Sequence, residues 1–216
     1  MIKLQSKRVR TIRNIILIVI LLISSIAVGY VTKYKFNKNP HASKAIKTVT
    51  NRPSEVKPEA EGFTWNGMPK DPKKIIIPTI SVDNFIQNVD VTKNGEMATP
   101  GNINITGWYD RSSRPGQKGL SIIVGHVSGW TAKGAFYGLD KLKEGDIVTI
   151  VLGNDSKVRY KVVNINIVDT DKAAAYLFNS IPGVANELNL ITCTGQYQDS
   201  IHMFNKRAIV QSVIVN

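Results

Sequence analysis

Cys193 is the single cysteine of the sequence, and it closes the segment ELNLITC (187–193), where Leu188, Leu190 and Thr192 alternate with Asn189, Ile191 and Cys193. A period of two is the pattern of a β-strand, whose successive side chains point to opposite faces. After a polar stretch, TGQYQDSIHMFNK, a second strand-like run, RAIVQSVIV, opens at Arg207. Two such strands side by side would set a thiol and a guanidinium across one ladder. A lone thiol is a candidate nucleophile when the sequence also holds a base for it, and IIVGHVSGW offers His126. His202, in the polar stretch after Cys193, is the alternative base. Thr192, next to the sulfur, either orients a substrate or Arg207, or is only a β-branched strand residue. The plainer reading of Cys193 is a buried, inert side chain, because free cysteine is among the most buried residue types.

These residues need a scaffold of strands, and the chain from residue 73 on supplies one. KKIIIPTISV (73–82) is a short apolar strand interrupted by Pro78, and FIQNVDV (85–91) follows the turn residues Asp83 and Asn84. INITGWYD leads into RSSRPGQKG, a loop of turn-formers, and LSIIVGH is a buried strand ending at His126. Residues 134–142 fit one helical turn. DIVTIVL and KVRYKVVNINIV, separated by GNDS, form a hairpin pair. DKAAAYLFNS is the helix candidate, with Asp171 placed to cap it and IPG to end it. About eight short strands with one or two short helices predict a mainly-β, closed or nearly closed barrel over 73–216.

The charge of the 216-residue chain is uneven. The formal net charge is +12, but residues 1–74 carry 15 Lys and Arg against 4 Asp and Glu, whereas residues 75–216 carry 13 against 12. A nucleic-acid-binding domain would hold its basic patch on the folded part, so that class is excluded. Residues 1–14 form a basic tail without an acid, and residues 15–31, IILIVILLISSIAVGYV, run uncharged. That length is at the short end for a transmembrane helix, and Tyr30 falls where aromatic residues prefer the interface. The expectation is a single-pass signal anchor with a cytoplasmic tail and an exported domain. The competing reading is a cleaved signal peptide, since Ser25 and Ala27 are small. Residues 32–72, rich in Lys, Asn, Pro, Ser and Glu, read as an extended stem with too little apolar surface to fold.

Six segments taken in order resemble the sortase family, and most closely its class F branch: GWY at 107–109, PGQKG at 115–119, IIVGH at 122–126, AFYGLDKLKEGD at 135–146, LNLITC at 188–193 and RAIV at 207–210. The resemblance implies an eight-stranded sortase-type barrel anchored outside the membrane. It implies a cysteine transpeptidase that cleaves a sorting signal similar to Leu-Pro-x-Thr-Gly between Thr and Gly. The acyl group would pass through a thioester to an amine acceptor, a peptidoglycan cross-bridge or a pilin lysine. It assigns catalysis to His126, Cys193 and Arg207, and puts Ile181, Pro182 and Val184 in the stretch that binds the Leu-Pro part of the signal. One departure is Asn189, where the family pattern T-L-x-T-C begins with threonine.

Other functions remain in view. A secreted cysteine protease shares the thiol chemistry but delivers the acyl group to water, and a non-catalytic barrel would bind a sorting signal without turning it over. An L,D-transpeptidase would need its His and Cys close in sequence. One cysteine leaves no intramolecular disulfide, and His41, His126 and His202 are too widely spaced to suggest a zinc cluster. No cofactor or metal is expected.

Overall fold

Proline and the turn residues decide where strands stop in this chain, and the computed structural model describes residues 52–58, 63–200 and 202–215. β1 (Pro72–Ile77) ends where Pro78, which has no N–H to give a ladder, opens a 3-10 turn closed by Ser81 at φ 56°. β2 (Val82–Val89) therefore starts before the residues expected to turn. Asp83 and Asn84 lie inside the hairpin, paired with Ile76 and Ile75. β3 (Thr106–Tyr109) and β4 (Gly119–Val124) follow, and then β5 (Ile147–Leu152) and β6 (Lys157–Asp169) make the expected hairpin across GNDS. The helical turn expected within 134–142 is a 3-10 turn at Leu139–Lys141.

The helix expected over DKAAAYLFNS is shorter, α1 (Ala173–Leu177), and Asp171 does not cap it. Asp171 lies within a 3-10 turn, Thr170–Lys172, that leads into α1, so it lacks the extended backbone of an N-cap. β7 (Asn186–Gln198) and β8 (Met203–Val215) run well into the stretch expected to be a polar loop. Tyr197 and Phe204 pair across the two strands with their rings edge to face at 5.3 Å, which carries the hairpin past Cys193.

The eight strands close into a barrel in the order β1-β2-β3-β4-β7-β8-β6-β5. Neighbours are antiparallel except β2 with β3 and β4 with β7. A parallel pair cannot be joined by a tight hairpin. Both parallel joins are bridged by long connections, residues 90–105 between β2 and β3 and residues 125–185, which include β5 and β6, between β4 and β7.

Side chains on the two faces of the sheet belong to two different apolar clusters. Ile123, Leu188, Leu190 and Val210 fill the barrel interior with Trp108, Tyr160 and Phe136. Ile122, Val124, Ile191 and Ile209 lie on the outer face, where Ala173 and Leu177 of α1 cover them. Polar side chains of the same outer face hold the crossover by its backbone. Asn189 Nδ2 donates to the Leu177 carbonyl at 2.8 Å, Gln211 Nε2 to the Asn179 carbonyl at 3.2 Å, and the Glu187 carboxylate accepts the Ile181 N–H at 3.0 Å. The departure from threonine at Asn189 thus has a structural role in this fold.

The expected tail (1–14), the expected membrane span (15–31) and most of the stem lie outside the described residues. Among the described residues no helix is long and apolar enough to cross a membrane. The described parts of the stem are not free of the barrel. Phe63 stacks on Phe85 at 4.4 Å between ring centroids, Trp65 Nε1 donates to the Pro72 carbonyl, and Ser54 pairs with Asn102.

Leu190 is fully buried in the interior cluster, so Leu190→Ala is expected to cost roughly 2–5 kcal/mol in urea denaturation. Met203→Ala, on an exposed side chain near the hairpin tip, is expected to stay within about 0.5 kcal/mol of the parent chain.

Candidate active site

Cys193 lies where the β7–β8 ladder still holds, and its register partner is Arg207. Directly opposite residues of an antiparallel pair have Cα atoms about 5 Å apart, which brings thiol and guanidinium side chains to one face. Parity tells which face. Ile191 and Ile209 are in the outer cluster, so Cys193 and Arg207, two residues away on each strand, also point outward. The sulfur is half-buried on the outside of the sheet and not sealed in the barrel. Just past it the ladder is broken between Thr194 and Tyr197, where Gly195 adopts φ 83°. Such bulges bend a strand and re-aim its side chains.

His126 arrives from the other side. β4 runs parallel to β7 with Val124 opposite Ile191, and the Gly125 N–H continues the pattern to the Ile191 carbonyl at 3.1 Å. Carried two residues on, that register sets His126 level with Cys193. Thr192 points inward, opposite to the sulfur, and its hydroxyl donates to the Gly125 carbonyl at 2.8 Å. It ties the Cys193 strand to the end of the His126 strand and does not face the outer groove.

Two carbonyl-rich segments orient the flanking side chains. His126 Nε2 donates to the Pro100 carbonyl at 2.8 Å. A carbonyl can only accept, so in the neutral imidazole the proton sits on Nε2 and Nδ1 keeps the basic lone pair. Arg207 Nη1 donates to the Thr170 hydroxyl at 3.0 Å and to the carbonyls of Phe204 and Lys206, each at 2.9 Å. Thr170 was not singled out from sequence; only its position just after the strand that pairs with Arg207's strand would have flagged it.

The remaining sequence candidates do not join this cluster. Ile181, Pro182 and Val184 precede Asn186, at the opposite end of β7. The Glu187 carboxylate holds the Ile181 N–H, so with ~3.3 Å of rise per strand residue this stretch stands roughly 20 Å from Cys193. The residues of that crossover nearest the site are instead Thr170 and Ala173, because the segment leaves β6 beside Arg207 and travels away along the sheet. His202 is exposed at the far tip of the β7–β8 hairpin, beyond the last pair Gln198 and Met203. Trp108 is a core side chain, whereas Tyr109 packs on the outer cluster with its ring edge to face against Phe178.

The sortase domain model matches residues 75–215. The chain belongs to the sortase family. Its barrel is similar to sortase C-1 from Actinomyces oris, with 25% identity and a TM-score of 0.50 over 69% of this chain and 77% of that one. It shares its fold with a lid mutant of sortase A from Corynebacterium diphtheriae (24% identity, TM-score 0.52, 67% of this chain and 70% of that one). The same holds for sortase C1 from Streptococcus agalactiae (24% identity, TM-score 0.51, 68% of each chain). No match is found among curated proteins.

In this sortase the resting protonation follows from burial. Desolvation pushes the Cys193 thiol above the ordinary thiol range, with the Arg207 charge opposing it. Desolvation likewise holds His126 below the ordinary imidazole value, with the Pro100 carbonyl opposing it. At neutral pH the pair is therefore a thiol beside a neutral imidazole. The thiolate beside an imidazolium is a minority form.

With a single cysteine, alkylation by iodoacetamide reads this site alone. The rate is expected to rise with pH through an apparent pKa above that of a free thiol, because only the thiolate reacts. Arg207→Ala removes the opposing charge and is expected to move that midpoint higher and slow labelling at pH 8. Thr170→Val, which loosens the guanidinium, is expected to move it in the same direction by less.

Proposed function

We propose that this sortase is a class F-like, membrane-anchored transpeptidase whose catalytic barrel lies outside the cytoplasm. It cleaves a signal similar to Leu-Pro-x-Thr-Gly between Thr and Gly and transfers the acyl part to an amine. The observation that carries this reading is the register pair Cys193 and Arg207 on the outer face, with His126 brought level by the parallel neighbour strand. The class F reading rests on the six ordered segments from GWY to RAIV taken together, and the anchor on the uncharged run 15–31.

Val124, Ile191 and Ile209 lie buried beneath α1 with Ala98 and Ala173, so this apolar cluster backs the strands that carry the sulfur and the guanidinium. The Cys193 thiolate attacks the threonine carbonyl, and the carbonyl π-bond electrons move to oxygen. Arg207 is the donor beside the sulfur that can stabilise this oxyanion by charge-assisted hydrogen bonds. Collapse breaks the C–N bond, and the His126 imidazolium gives its proton to the departing glycine amine. A thioester on Cys193 is left. An incoming amine then gives a proton to His126 Nδ1 as it attacks, and loss of the thiolate completes the new amide. The acceptor amine is a peptidoglycan cross-bridge or a pilin lysine.

Incubating the protein with a Leu-Pro-x-Thr-Gly peptide, with and without an added amine, tests the reading by mass. A new amide product is expected with the amine, and water as the sole acceptor under all conditions would point to a protease instead. Cys193→Ala is expected to abolish turnover, and His126→Ala to reduce it by roughly 10²–10⁴. His202→Ala is expected to leave it unchanged. The pH profile of kcat/KM should be bell-shaped. Its acid limb falls below the ordinary imidazole value and its alkaline limb above the ordinary thiol value, because burial separates the two pKa values in those directions.

A further inference from the structure

The short segment Ser54–Val56 crosses two loops that flank His126. On one side, the Ser54 N–H donates to the Gly101 carbonyl at 2.8 Å, and the Ser54 carbonyl accepts the Ile103 N–H at 2.9 Å. Asn102 Nδ2 donates to the Val56 carbonyl at 2.8 Å, and Asn104 Nδ2 to the Glu55 carbonyl at 3.2 Å. This is the loop whose Pro100 carbonyl holds His126 Nε2. On the other side, the Glu55 carboxylate accepts the N–H groups of Trp130 and Thr131 and the Thr131 hydroxyl. That loop leaves directly from His126, whose own carbonyl accepts the Phe136 N–H at 2.9 Å. A Cβ placed on Gly129 would overlap Glu55 Oε1, so a side chain there would push the carboxylate out of its present position.

From these contacts we infer that Glu55 is a positioning residue for His126, the clasp of a strap that locks both loops around the imidazole. The inference rests on the proposed role of His126. One acidic side chain accounts for the Trp130 and Thr131 contacts, and its backbone accounts for the Gly101–Asn104 contacts. The strap therefore fixes the Pro100 carbonyl, and through it the tautomer that leaves Nδ1 free for proton transfer. Hydrogen bonds from Thr131 hold the Glu55 carboxyl below the usual carboxylate range, as a carboxylate receiving several donors should be. Part of the segment expected to be an extended stem would thus belong to the active site.

The test uses the full-length chain with two independent ways of unfastening the clasp. Glu55→Ala removes the acceptor, and Gly129→Ala excludes it sterically. Each is expected to lower kcat by about tenfold or more with KM little changed, within the roughly hundredfold that a 1 Å misplacement costs. Each should also shift the acid limb of the pH profile toward the ordinary imidazole value, as water reaches the ring. In ¹⁵N spectra of labelled histidine, His126 should move from the Nε2–H tautomer toward the mixture seen for an exposed imidazole. The double variant should be no worse than either single one, since both break the same contact. Glu55→Gln, whose amide oxygen still accepts N–H groups, should recover part of kcat. Lys73→Ala, which breaks an exposed ion pair with Asp155, should change none of these readouts. Unchanged kcat and an unchanged His126 tautomer in Glu55→Ala would overturn the inference, as would additive effects of the two substitutions. Full turnover in His126→Ala would instead overturn the assignment of the base, while the ¹⁵N readout still tests the strap.

Discussion

The parallel pairing of β4 with β7 is the constraint on which the rest of the site depends. Two strands that run the same way finish at the same end of the sheet, so the residues just past Val124 and Ile191 emerge side by side. Their chain connection cannot be a hairpin. It runs instead through β5, β6 and α1, and that route delivers Thr170 to the edge of the site before the chain turns back as β7. The second parallel join, β2 with β3, sends its own crossover to the start of β3, which antiparallel pairing places beside the end of β4. Pro100 is on that crossover. The two parallel joins, with β8 antiparallel to β7, thus collect a thiol, an imidazole, a guanidinium and the groups that aim the latter two.

The electrostatics of the site follow from where the sheet puts it. A fully solvated sulfur would ionise at its ordinary pKa, and a fully buried one would not ionise at all. Cys193 lies between these limits, with one cation opposite it in the ladder. Burial outweighs the charge of Arg207, so the resting group is a thiol. The same desolvation acting on His126 disfavours the imidazolium. For the proposed reaction this means that the ion pair able to react is sparsely populated before substrate binds. A peptide that displaces water from the groove would change the energies of both groups together.

What the sequence makes legible here is what lies within a few residues. The alternation around Cys193 and Arg207, the strand ending near His126 and the GNDS hairpin are all local patterns, and the eight-stranded barrel follows from their number. Direction is harder to read. Ile181, Pro182 and Val184 come shortly before Cys193 in the chain, yet a strand separates residues by length, and seven residues of β7 carry them to the other end of the barrel. Asn84 looks like a turn because it is polar, but Pro78 had already made the turn. The reach of β7 and β8 past the site depends on an aromatic pair, Tyr197 with Phe204, that exists only once the register is set. Glu55 is the extreme case. Its partners lie about 75 residues away, while Glu55 itself sits in a segment whose composition reads as solvated linker.

The three candidate side chains are therefore not held alike. Cys193 is fixed by a ladder, with hydrogen-bonded strands on both sides and Thr192 tying its strand to Gly125. His126 and Arg207 take their orientation from carbonyl and hydroxyl groups on connecting segments: Pro100 for the imidazole, Thr170 for the guanidinium. Loops and crossovers tolerate change more readily than a closed barrel does. Variation along 52–58, 100–104 or 170–173 can thus retune the histidine and the arginine without moving the sulfur. In the proposed reaction His126 would handle the acceptor's proton, so the group that meets the acceptor is among the parts set by those adjustable segments.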